Sequence, residues 1–237
     1  MKKKLGNNII SRSRHWSFSG KIVKKFDEHI LQSIPFYLEV QELYLFLSDF
    51  FIQNNSRIID IGCSTGTFLE KLAFKNKKNP KKIVFEGYDC SNEMISFCKK
   101  KKNFNIKFFK KDINKVDFNN SCLVMSFYTI QFIEPKFRQK LIDNIYSGLN
   151  WGGAFFFVEK TRGSDARFQD ILNQIYIDYK LTRNFKPDEI INKSRSLKGV
   201  MEPFSNQGNI DMLKRAGFKD IETVFQYGPF KGFLCIK

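Results

Sequence analysis

Residues 62–66 read Gly-Cys-Ser-Thr-Gly, a G-x-S-x-G pentapeptide. In serine hydrolases this spacing lifts a nucleophilic serine onto a sharp strand-to-helix elbow. Such a serine is a weak nucleophile until a histidine takes its proton, and behind this elbow the histidine comes later in the chain. The two histidines here, His15 and His29, both precede Ser64. Acyl transfer through Ser64 therefore lacks its base, and neither histidine is expected to be catalytic. The same residues also describe a glycine-rich βα turn that could pass under a nucleotide-like ligand. A nicotinamide-binding turn wants G-x-G-x-x-G, and here those positions hold Gly62, Ser64 and Thr67. Three acids complete a different pattern. Asp60 precedes the turn, Asp89 ends the next apolar run, and Asp112-Ile113 follows the one after. A carboxylate at the end of a second strand can accept both ribose hydroxyls, and strand carboxyl ends are where an open α/β sheet binds its ligand.

These positions need a particular scaffold. From residue 55 on, short apolar runs alternate with helical patterns: strands at 57–62, 82–89, 106–112, 121–128 and 154–160. Between them lie helices from about Gly66 to Phe74, after Ser91 as N-cap, and from Pro135, with glycines 148, 152 and 153 around its end. This alternation predicts an α/β fold, a doubly wound and mostly parallel sheet. A helical insert of about 164–216 follows, with helices at 164–182, 187–199 and 206–216, the last closed by Gly217. The chain ends in a β-hairpin around a Gly-Pro turn. Residues 1–54 read as a mainly helical N-terminal cap, and 55–237 as the ligand-binding part of one compact domain.

Composition narrows the class. The chain has 237 residues, 42% of them hydrophobic, enough for one sizeable core. No run approaches the roughly 20 apolar residues of a membrane span, and no apolar stretch follows the basic start, so a cytoplasmic protein is expected. The five cysteines form no C-x-x-C pair, which suggests neither a disulfide framework nor a metal site, and none has an evident base to make it a nucleophile. A net charge of +16 admits a polyanionic partner, but the lysines are scattered in a chain also rich in Asn, Ile and Phe, as base composition alone would produce.

The turn and its acids resemble those of the class I S-adenosylmethionine-dependent methyltransferases, whose first motif is D/E-x-G-x-G-x-G; "DIGCSTG" carries serine at the middle glycine. Three longer stretches are similar to the carboxy-S-adenosylmethionine synthases of bacterial tRNA wobble-uridine modification. They are residues 15–37, including Ser33-Ile34-Pro35-Phe36-Tyr37; residues 128–160, including Gln131-Phe132-Ile133-Glu134-Pro135; and residues 200–218. The resemblance implies that S-adenosylmethionine or its carboxylated form is bound, without a metal, and that prephenate is the second substrate. Prephenate gives up its ring carboxylate as carbon dioxide, which the deprotonated sulfonium methyl captures. It further implies a homodimer, no membrane, and tRNA only indirectly, through a partner carboxymethyltransferase. Tyr37 would close over the ligand. Gly62, Cys63 and Ser64 would pass under its methionine moiety. Asp89 and Cys90 would hold ribose and the adenine edge, and Asp112 and Ile113 the adenine.

Two positions depart from that family. Its fourth strand has Asn-Phe where this chain has Ser126-Phe127. Its carboxylate-binding arginine falls on Ser194, with Arg195 one residue late, about 100° around a helix. Arg195 stays the candidate cation for the carboxylate. Ser126 and Ser194 also leave open an ordinary methyltransferase acting on a small molecule or RNA, and the charge leaves open a non-enzymatic ligand- or RNA-binding module. Glu134, Glu159 and Lys160 are expected to be structural.

Overall fold

The computed structural model describes residues 3–6, 10–11, 20–77, 82–101 and 105–237. Seven strands form one sheet: β3 (Arg57–Ile61), β4 (Val84–Asp89), β5 (Ile106–Lys110), β6 (Ser121–Phe127), β7 (Leu149–Lys160), β8 (Asp220–Tyr227) and β9 (Phe230–Ile236). Their order is β5-β4-β3-β6-β7-β9-β8; the first five are parallel, and β9 pairs antiparallel with both β7 and β8. A two-stranded ribbon, β1 (Lys3–Lys4) with β2 (Ile10–Ser11), stands apart from this sheet within the stretch expected to be mainly helical.

The central strands are apolar at nearly every position because both faces are covered, as parallel sheets require. In β7, Phe156 and Val158 join one core cluster while Phe155 and Phe157 join the other. Helices α2 (Tyr37–Leu47) and α3 (Thr67–Lys75) cover the first face through Val40, Tyr44, Leu69 and Leu72. Helices α5 (Pro135–Gly148) and α8 (Asn206–Ala216) cover the second through Leu141, Ile145, Met212 and Leu213. The remaining helices are α1 (Phe26–Ser33), α4 (Asn92–Lys100), α6 (Ala166–Thr182) and α7 (Pro187–Leu197). Ser91 caps α4 by accepting from Met94 N–H, and Gly217 closes α8 at φ +118°, a left-handed conformation that suits glycine.

β7 differs from its expected start at 154. It begins at Leu149, directly after the last residue of α5. Leu149 pairs with Ser121, and the register then slips before Leu123 meets Ala154. The Asn-Trp-Gly-Gly segment that looks like a turn is therefore a bulged strand start, with Gly152 at φ +74°. No helix among the described residues is long and apolar enough to cross a membrane.

Candidate active site

The turn after β3 is fixed from its neighbour. Gly62 and Cys63 both donate their amides to Tyr88 O, at 2.7 and 3.0 Å, and Gly66 N–H closes the loop on Cys63 O at 2.8 Å. Ser64 stands at φ +53°, a strained position for a residue with a side chain. It is held there by Asp89, whose Oδ2 accepts Ser64 N–H at 3.0 Å while Oδ1 accepts Ser91 N–H at 2.8 Å. Burial raises the Asp89 pKa, and these amides oppose the rise. Gly62 has φ +70°, and a Cβ there would run into the Thr129 side chain. Gly62→Ala is therefore expected to destabilise the protein by about 2 kcal/mol or more, from left-handed strain and collision together. Urea unfolding measures it; a midpoint equal to wild type would show that the turn can relax.

The N-terminal helices reach the same turn. Asp27 on α1 accepts from Thr65 Oγ1 at 2.6 Å and Thr67 Oγ1 at 3.2 Å, placing a carboxylate at the N-terminus of α3. Tyr37 opens α2, preceded by Phe36 at φ +54°, and its ring lies 6.1 Å from that of Tyr128 at 30°. Burial, then Asp27 and Asp60, hold the Tyr37 hydroxyl above its ordinary range. Asp60 is buried under this roof, and desolvation followed by repulsion from Asp89 pushes its pKa up to about 8.

Tyr128, just past β6, is buried at φ +57°, a conformation rare for a bulky aromatic residue. A brace holds it. Gln131 Nε2 donates to Tyr128 O at 3.2 Å, while Gln131 Oε1 accepts Lys160 N–H at 3.2 Å. The buried Glu159 carboxylate accepts the amides of Ile130 and Gln131, each at 2.9 Å. Arg138 ties the other side, donating to Ile133 O at 2.8 Å, Glu202 O at 2.7 Å and Gln131 O at 3.2 Å. Two buried hydroxyls at the end of β6, Ser126 Oγ and Tyr128 OH, have no hydrogen-bond partner among the described residues. Buried polar groups are nearly always paired, so this pair fits a polar ligand beside the turn.

Of the sequence-expected residues, Tyr37, Gly62, Cys63, Ser64, Asp89 and Ser126 gather at the carboxyl ends of β3, β4 and β6. Cys90 and Asp112 lie on the exposed rim, where Asp112 accepts from Asn114, and Ile113 is buried beside them. On α7, Lys193 and Ser196 turn inward while Ser194 and Arg195 are exposed. Two residues apart is about 200° of helix, so one phase cannot bury both Lys193 and Arg195. His29 is buried, accepting from Lys193 Nζ at 2.6 Å, and His15 lies outside the described residues. Sequence reasoning missed Asp27, Tyr128, Lys180 and Lys193. Only Lys193 left a signal, as a cation on the α7 face that also buries Ile190 and Ser196; Lys180 is the one residue that α6 buries.

Comparison with known proteins places these features. A family model described as a methyltransferase domain matches residues 58–153. A protein of Staphylococcus epidermidis named carboxy-S-adenosyl-L-methionine synthase is 37% identical over 223 residues, covering 94% of this chain and 97% of its own. One of the same name from Nautilia profundicola is 37% identical over 240 residues, covering all of both chains. Among solved structures, the plantazolicin methyltransferase BpumL in complex with SAH superposes at a TM-score of 0.63 with 16% identity, covering 90% of each chain. A possible histamine N-methyltransferase of Thermotoga maritima gives 0.58 with 16% identity, over 92% of this chain and 96% of its own. At such identities these two share the fold.

Proposed function

This chain belongs to the carboxy-S-adenosyl-L-methionine synthase family, within the class I methyltransferase fold, and from that premise we propose how its site serves that reaction. It converts S-adenosylmethionine and prephenate into carboxy-S-adenosylmethionine and phenylpyruvate. Prephenate loses its ring carboxyl as carbon dioxide and its ring hydroxyl as hydroxide. One methyl proton of the donor turns that hydroxide into water, and the methyl carbon takes up the carbon dioxide. S-adenosylmethionine supplies that acidic methyl when bound.

The chain's own residues bind, orient and exclude water. Gly62, Cys63 and Ser64 pass under the methionine moiety; Asp89 accepts the ribose hydroxyls; Cys90, Asp112 and Ile113 border the adenine; Ser126 Oγ turns to the ligand. Tyr37 and Tyr128 roof the reacting carbon with aromatic surface, which keeps carbon dioxide from water. The described helices before residue 55 act as this roof, and 55–237, with its insert of about 164–216, as the binding domain. Helix α6 exposes Phe168, Ile171 and Ile175 along one face, which supports a homodimer. The product serves tRNA wobble-uridine modification in the cytoplasm, through a partner carboxymethyltransferase.

Near-full-length identity to proteins of that name carries this reading, since methyltransferases of other kinds share only the fold. Incubation of the purified chain with both substrates, followed by mass spectrometry, is expected to give a donor heavier by one carbon dioxide, together with phenylpyruvate. Formation of S-adenosylhomocysteine alone would replace this reading with ordinary methyl transfer.

A further inference from the structure

Tyr128 costs the fold stability twice. It stands at φ +57°, where a bulky side chain is strained, and its buried hydroxyl has no hydrogen-bond partner among the described residues. A phenylalanine would fill the same space without the second cost. The polar groups around the hydroxyl cannot turn to serve it, because each is committed elsewhere. Tyr44 OH donates to Phe233 O at 3.0 Å, Tyr176 OH donates to Ser33 O at 2.9 Å, and Tyr37 OH pairs with Gln41. The Glu159 carboxylate, which bears on Tyr128, accepts the amides of Ile130 and Gln131.

The backbone around Tyr128 is held in place from separate segments. Tyr128 N–H donates to Val158 O at 2.6 Å, Gln131 Nε2 donates to Tyr128 O at 3.2 Å, and Arg138 in turn holds Gln131 O at 3.2 Å. A strained residue persists only where its surroundings over-determine it, and such residues gather at ligand clamps. The sheet order says which ligand. The donor groups assigned above lie at or just past the ends of β3, β4 and β5, whereas β6 runs on the opposite side of β3. Tyr128 meets the donor side through Tyr37, with ring centres 6.1 Å apart, and through Thr129, whose side chain fills the space beside Gly62. Away from the donor it meets Phe230 of β9 at 6.0 Å, and Phe230 packs 5.2 Å from Tyr176 of α6.

We propose that Tyr128 OH donates a hydrogen bond to an acceptor oxygen of the second substrate, on the β7 side of the donor. The assignment rests on the reading of the chain as a synthase acting on prephenate, and it makes Tyr128 a binding residue as well as a wall. Prephenate is rich in such acceptors, with two carboxylates, a ketone and a hydroxyl. Burial, then Tyr37 and Glu159, hold the Tyr128 phenol well above its ordinary range, so it keeps its proton and remains a donor at neutral pH. A buried donor aimed at a substrate oxygen also confers selectivity, because a compound lacking that oxygen leaves the phenol unpaired.

The test uses full-length Tyr128→Phe, which removes one oxygen and keeps the ring. At saturating S-adenosylmethionine, kcat/KM for prephenate is expected to fall ~10- to 100-fold, because the substrate oxygen loses its partner in a buried site. S-adenosylhomocysteine affinity, measured by titration calorimetry, should stay within threefold. The melting temperature of the free protein should be equal or higher, since an unpaired buried hydroxyl has been removed. Should this variant fail to fold, Tyr128→Met takes its place with the same kinetic expectation. Unchanged kcat/KM with carboxylated product still formed overturns the proposal and leaves the synthase reading intact. Loss of S-adenosylhomocysteine affinity by the same factor as kcat/KM overturns the choice of ligand and puts the hydroxyl on the donor. A lower melting temperature for Tyr128→Phe shows that the hydroxyl is paired within the protein, which also overturns the proposal. Wild type forming no carboxylated product removes the reading beneath it.

Discussion

Asp89→Ala is expected to weaken S-adenosylhomocysteine binding by ~100-fold or more, measured by titration calorimetry. The side chain has two tasks. It fixes the turn by accepting Ser64 N–H and Ser91 N–H, and it faces the position proposed for the ribose. A hydrogen bond to a charged group contributes ~1.5–3 kcal/mol, so loss of both ribose contacts alone accounts for the factor. The first task adds a structural loss, because Ser64 at φ +53° has no other hold on its amide among the described contacts. Asp112→Ala is the control: Asp112 is exposed and its contacts stay within its own loop, so the affinity loss there should be several-fold smaller. Equal losses for the two variants would mean that the ribose is held elsewhere.

The difference between these two acids was only partly legible in the sequence. Position at a strand end gave both, because alternating apolar runs locate strand ends well. The same patterning placed the sheet, its helices and the terminal hairpin. Local chemistry was legible too: Ser91 as a cap, Gly217 as a stop, Pro135 in a first turn. Contacts between distant segments were not. Nothing near Asp27 indicates that it meets Thr65 and Thr67, and nothing at Gln131 indicates that it joins the Tyr128 carbonyl to the Lys160 amide. The phase of α7 was the costliest ambiguity. An arginine read against a family pattern drew attention to Arg195, while Lys193, two residues earlier, is the cation that the helix buries. A one-residue uncertainty in helical register moves a side chain by about 100°, so sequence alone could not choose between them.

The affinity for S-adenosylmethionine is expected to depend on pH through Asp60. With Asp89, Tyr37 and Cys63 around it, it is protonated below about 8, and a bound cationic donor favours its ionised form. S-adenosylmethionine affinity should therefore improve as pH rises toward 8 and then level. Asp60→Asn should remove this rise. An affinity that is level from pH 6 to 9 in the unmodified protein, measured by titration calorimetry, would contradict any part for Asp60 in binding the donor.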